Sequence, residues 1–211
     1  GAGSAPRSAQ GAGLAVECAL DSLQLALQDG AALDAQACQV LLRSAFTQAR
    51  QALLELAEQE GLPARHFAAT LTLILCAPPW LAAGQVGDGV AIAETDEDVF
   101  LTLTQPQHGE YANETYFLTQ EQSLDVLQTL ALQAEARSLA VMTDGLVRLA
   151  MDVAANQPYL PFFAPLMQTA RQISDPARGS DQLAQFLASE RVCNRTEDDK
   201  TLALAVRLDE E

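Results

Sequence analysis

Lysine is nearly missing from this chain of 211 residues: among its 12 Lys and Arg residues, Lys200 alone is a lysine. A Walker-type phosphate loop requires a lysine directly after a glycine, and Lys200 follows Asp199, so that nucleotide fold is excluded. Positive charge is scarce altogether, with 12 cations against 28 Asp and Glu and a formal net charge of −16. No basic stretch can neutralise a row of phosphates, which sets aside nucleic acid as a partner. Histidine is limited to His66 and His108, far apart and with no H-E-x-x-H spacing, so zinc chemistry has little support. Four scattered cysteines, Cys18, Cys38, Cys76 and Cys193, form no C-x-x-C pair and are expected as buried thiols in a reducing, cytoplasmic setting. A membrane span is lacking as well. Residues 67–84 carry no charge, but Thr70, Thr72 and Pro78-Pro79 interrupt them, so two buried strands joined by a proline turn are expected. A chain of this size buries about 70% of its unfolded surface, enough for one sizeable core.

What is present falls into blocks. The first, built of small residues with Pro6, runs into a helix whose apolar stripe is Val16, Leu20, Leu23 and Leu27, with Gly30 as its stop. Asp34 is placed to cap a second helix with the stripe Leu42, Phe46, Ala49, Leu53 and Leu56, ended by Gly61-Leu62-Pro63. The two helices are expected to pack side by side. Short apolar runs then replace the helical period at 69–76, 80–86, 90–93 and 99–104, each bounded by Pro, Gly or acidic residues, as in an antiparallel meander. A polar stretch at 105–122 reads as a loop with a short strand at 115–118. A buried strand at 138–142, helices at 147–155, 161–173 and 181–189, and a last strand at 201–207 complete the chain. Segregated helices and antiparallel strands argue for an α+β domain.

Three aspartates share a local context. Asp88 and Asp144 each follow an apolar strand and precede a glycine, and Asp198 lies just before the last strand. A carboxylate at a strand end is held on a rigid element, and a following glycine lets backbone or ligand approach closely. Convergence of such carboxylates would give hard oxygen ligands suited to Mg²⁺ or Mn²⁺. Taken singly, each is also an ordinary strand-terminating turn. Gly11 to Val16 imitates a dinucleotide fingerprint, but Val16 replaces its third glycine and no strand precedes it.

The ordered segments GAGSAPRSAQGA, VGDG, GEYANET, VMTDGL and TEDDKTLALAV resemble the successive signatures of the type 2C metal-dependent protein serine/threonine phosphatases in their bacterial branch. The resemblance implies an α+β four-layer sandwich of two antiparallel β-sheets flanked by antiparallel helix pairs. It implies hydrolysis of phosphoserine and phosphothreonine in a protein substrate by a water activated between two, or with a third site three, Mg²⁺ or Mn²⁺ ions. On this reading Asp144 and Asp198 are metal ligands, Asp88 helps hold the third ion, and Gly1 matches the metal-site glycine of the family's first Asp-Gly pair. Gly89 replaces the serine usual after Asp88, and Asp199 stands where many relatives carry asparagine. Arg7 is a candidate substrate contact, and the segment around Asn113-Glu114-Thr115 matches a variable flap. Residues 1–211 are expected as a single phosphatase-like domain without the family's amino-terminal strands, which carry the bridging aspartate, an acidic pair and a phosphate-gripping arginine. A catalytically silent regulatory or protein-interaction module is the alternative reading. No membrane partner is expected, and the oligomeric state stays open.

Overall fold

The structure is a computed structural model that describes residues 2–28, 33–107, 115–152 and 154–208. Its helices are α1 (Ser8–Gln28), α2 (Ala35–Gln59), α3 (Val147–Ala150), α4 (Leu160–Gln172), α5 (Pro176–Leu187) and α6 (Glu190–Cys193). Its strands are β1 (Leu71–Ala77), β2 (Trp80–Val86), β3 (Val90–Thr95), β4 (Phe100–Thr102), β5 (Gln128–Gln133), β6 (Ala136–Met142), β7 (Met151–Asp152), β8 (Gln157–Pro158) and β9 (Leu202–Val206). The class is α+β, and every strand pairing is antiparallel. The chain divides into two units, residues 1–88 with 106–133 and residues 89–105 with 134–211.

In the first unit, α1 packs on α2, and α2 lies on a sheet ordered β1-β2-β5. Asp34 caps α2 by accepting the Ala37 N–H at 2.7 Å. The helix ends as its glycine predicts: Gly61 adopts φ +63°, and the Leu62 N–H reaches back to the Ala57 carbonyl at 2.9 Å. The core holds Leu42, Phe46, Leu53, Phe67 and Leu118 without exposed surface. Phe46 needs Gly84 opposite it in β2, since a Cβ there would stand 2.8 Å from its ring.

The buried face of α1 differs from the expected stripe. Gly11, Ala15, Ala19 and Leu23 point inward, while Val16, Leu20 and Leu27 are exposed. The cause is close approach. A Cβ on Gly11 would fall 2.1 Å from the Phe67 carbonyl oxygen in the 3-10 turn Ala64–Phe67, so only the small-residue face of α1 can meet its neighbours.

The second unit carries a sheet ordered β4-β3-β6-β9, with α4 packed against β9. Ile92, Leu146, Phe163 and Met167 form its fully buried centre. Arg171 of α4 forms an ion pair with Glu94 of β3, and its Nη2 also donates to Ser138 Oγ of β6 at 2.6 Å, which ties the helix to two strands.

Several expectations are corrected. The apolar runs at 69–104 are not one meander: β1–β2 and β3–β4 are hairpins of different sheets, and the chain leaves the first unit between Asp88 and Gly89. Residues 115–118 form no strand, although the Leu118 N–H bonds the Ala69 carbonyl at 2.9 Å. The next strand, β5, lies beyond that stretch, and its half-buried residues gave no alternation. The helix expected over 147–155 stops at Ala150 and gives way to the β7–β8 hairpin, where Asp152 accepts the N–H groups of Ala154 and Ala155 at 3.1 Å each. Of the cysteines, Cys38 is buried, Cys18 half-buried, and Cys76 and Cys193 exposed, so the expectation of buried thiols holds for one residue only. The Gly30 stop and the flap residues Asn113 and Glu114 lie outside the described residues. No described helix is long and apolar enough to cross a membrane.

Candidate metal centre

β6 and β9 run antiparallel and end their register at Met142 opposite Leu202. Thr143 carries the pairing further: its N–H donates to the Thr201 carbonyl at 3.1 Å, and its Oγ1 accepts the Thr201 N–H at 3.0 Å. The same hydroxyl donates to the Asp199 carbonyl at 3.5 Å. Asp144 then opens the 3-10 turn Asp144–Leu146, anchored by the fully buried Leu146.

Gly145 is buried against the segment before β9. A Cβ on it would stand 2.3 Å from the Asp199 carbonyl oxygen and 3.2 Å from Asp198 Cβ. The backbone of residues 198–199 therefore rests on the glycine beside Asp144, and both aspartates are exposed. The glycine serves close approach here and not a left-handed turn, because its φ lies outside that region. The Asp198 N–H donates to Thr196 Oγ1 at 3.3 Å, and the chain's single lysine, Lys200, places Nζ 3.5 Å from the Asp198 carbonyl oxygen.

Asp88 belongs to the first unit and is half-buried. Gly87 before it has φ +130°, and a Cβ there would stand 2.4 Å from Thr70 Cβ and Cγ2, so only glycine fits. Its N–H donates to Gln107 Oε1 at 2.7 Å, and its carbonyl accepts the Gln107 N–H at 3.0 Å and Gln85 Nε2 at 3.1 Å. Gly1 lies outside the described residues. The Arg7 guanidinium forms an ion pair with Glu60 and a 3.4 Å bond to Gln10 Oε1, both through Nη1.

Two carboxylates on adjoining strand ends, without thiolate or imidazole, fit a hard divalent cation in donor chemistry. Among the described residues no group of three or more His, Cys, Asp or Glu is placed to hold a metal ion. Mg²⁺ is compatible with that arrangement because it is commonly bound by one or two carboxylates and keeps several waters. Sequence reasoning named Asp144 and Asp198 as candidates but did not single out Thr143, Gln85 or Gln107. Thr143 lies within the VMTDGL segment, whereas Gln107 sits in a polar stretch without period and carries no local signal.

A model of the family described as Protein phosphatase 2C matches residues 1–188. The chain is also 36% identical over 208 residues to serine/threonine-protein phosphatase 3 of Escherichia coli (strain K12), covering 98% of this chain and 81% of that relative. The chain belongs to the protein phosphatase 2C family. Membership makes it a hydrolase of the serine/threonine phosphatase type, in a family that depends on metal ions. Solved phosphatase 2C-like structures share its fold. PppA, a regulatory component of the T6SS in Pseudomonas aeruginosa, superposes with a TM-score of 0.57 at 18% identity, covering 97% of this chain and 80% of its own. The catalytic domain of PstP, solved with two manganese ions, gives 0.57 at 19% identity, covering 92% and 81%. The family match ends at residue 188, before Asp198, whereas the match to the E. coli phosphatase spans that position.

Proposed function

We propose that this phosphatase 2C chain hydrolyses phosphoserine and phosphothreonine in proteins with Mg²⁺ or Mn²⁺ held in part by Asp144 and Asp198. The seating of Gly145 against Asp198 and Asp199 is the observation that carries the assignment, because it fixes the two carboxylate-bearing segments beside each other. Third-ion binding by Asp88 and a metal role for Gly1 rest on the family resemblance alone.

Two divalent ions, when bound, would supply a water of lowered pKa and neutralise phosphoryl oxygens. The chain's own part is positional. Thr143 bonds both Thr201 and Asp199, so the Asp144 turn and the 198–199 segment are held in one register. Leu146, buried in the core, sets the depth of that turn. Lys200 brings a cation beside the Asp198 backbone and offsets part of the repulsion between neighbouring carboxylates. The net charge of −16 disfavours an anionic phosphate until cations bind, which accounts for metal dependence in electrostatic terms.

The test is phosphate release from phosphoserine and phosphothreonine peptides with Mn²⁺, with Mg²⁺ and with a chelator. Turnover that requires metal and is abolished in Asp144→Asn is expected. Metal-dependent turnover that survives in Asp144→Asn would remove that residue from the ligand set. Manganese binding without turnover would favour the silent module.

A further inference from the structure

We infer that Gln107 is a positioning residue for Asp88, a role that rests on the reading of Asp88 as a metal ligand. Three hydrogen bonds converge on Gly87. Gln107 Oε1 accepts the Gly87 N–H at 2.7 Å, while the Gln107 N–H at 3.0 Å and Gln85 Nε2 at 3.1 Å both donate to the Gly87 carbonyl. That carbonyl belongs to the planar peptide unit joining Gly87 to Asp88, so the Gln107 backbone N–H and the Gln85 side chain fix the plane from which the Asp88 Cα departs, while the Gln107 side chain fixes the peptide before it through the Gly87 N–H. Gly87 itself lies at φ +130°, a conformation open to glycine, and without external partners its peptide would have the freedom that glycine brings.

The clamp is buried and braced. Gln85 has no exposed surface and Gln107 only 8%, and burying such amides is unfavourable unless they are bonded. Their remaining groups are bonded: Thr72 Oγ1 donates to Gln85 Oε1 at 2.9 Å, and Gln107 Nε2 donates to the Val126 carbonyl. The arrangement thus ties the Asp88 turn to β1 through Thr72 and to the approach of β5 through Val126. Thr115 Oγ1 also donates to the Gln107 carbonyl at 3.4 Å, so the residues bounding 108–114 meet at this clamp.

The experiment is a double-mutant cycle read by calorimetric titration with Mn²⁺ alone, using Gln107→Leu, Asp88→Asn and the pair. Loss of an outer-shell partner weakens metal affinity by about 10–100-fold. Gln107→Leu is expected to produce a loss in that range for the Asp88-dependent ion, and the pair to lose no more than Asp88→Asn alone. Additive losses, or none from Gln107→Leu while Asp88→Asn weakens binding, would overturn the role of Gln107 alone. An Asp88→Asn variant that binds Mn²⁺ like the wild type would instead remove Asp88 as a ligand, and the positioning role with it. Should Gln107→Leu fail to fold, two measurements decide. Amide exchange in the wild type should show the Gly87 N–H protected, and Gln85→Met, which spares both Gln107 bonds, should weaken binding less than Asp88→Asn. An unprotected Gly87 amide, or a Gln85→Met loss as large as that of Asp88→Asn, would refute the inference.

Discussion

Replacing Gly145 by alanine tests whether the seat between the two aspartate segments governs activity. The added Cβ would lie 2.3 Å from the Asp199 carbonyl oxygen, where ordinary contact begins near 3.4 Å, so relief requires a shift of about 1 Å. On one side Leu146 locks the glycine's turn into the core, so the 198–199 segment is the part that must yield. Since Gly145 is not in the left-handed region, alanine carries no backbone penalty, and reduced freedom of the unfolded chain would by itself stabilise by about 0.4–1 kcal/mol. Net destabilisation therefore has to come from the contact. Overpacking of this kind costs about 1–3 kcal/mol, which lowers the melting temperature by roughly 2–12 °C in a domain of this size. A misplacement of about 1 Å at a reacting site costs on the order of 10²-fold in rate. The assay pairs kcat across a Mn²⁺ titration with thermal unfolding. Gly179→Ala is the control: its Cβ would meet Ile173 Cγ2 at 3.2 Å, a side chain able to move, so activity should stay within twofold of wild type. Wild-type turnover and Mn²⁺ affinity in Gly145→Ala would refute the argument that this contact aligns the aspartates.

Other outcomes follow from the same physics. Arg171→Met should leave Glu94, 6% exposed, without its partner and cost about 3–5 kcal/mol by denaturant unfolding, whereas Arg171→Met with Glu94→Leu should recover most of it. Burial, and then the carboxylates of Glu17, Asp21 and Glu55, push the Cys18 thiol above the usual range. Its alkylation should set in at higher pH than that of free cysteine, and added salt should lower the onset by screening the carboxylates. An onset equal to that of free cysteine would contradict the burial seen for Cys18.

Legibility followed the range of the deciding interaction. α2 could be read because its cap, its stripe and its Gly61 ending are set within a turn or two of chain. Asp144 could be read because a strand followed by Asp-Gly is a local pattern. α1 could be found but not oriented, since large apolar residues dominate its sequence while the Phe67 carbonyl admits only its small-residue face. β5 was missed because half-burial on both faces erases alternation.

By itself the sequence determined the chemistry available: hard carboxylate donors at strand ends, almost no lysine, and a charge that repels phosphate until cations are present. Tertiary structure alone decided which of those donors adjoin. The segments bearing Asp144 and Asp198, residues 54 apart in the chain, lie beside each other because β6 pairs with β9 and a missing Cβ at Gly145 lets one backbone rest on the other. The Asp88 turn is likewise held by Gln107, 19 residues further along, through bonds to a backbone whose partners no local pattern specifies. Composition and local pattern fix which groups a chain carries, while contact between distant segments depends on pairing register and on the space left by absent atoms.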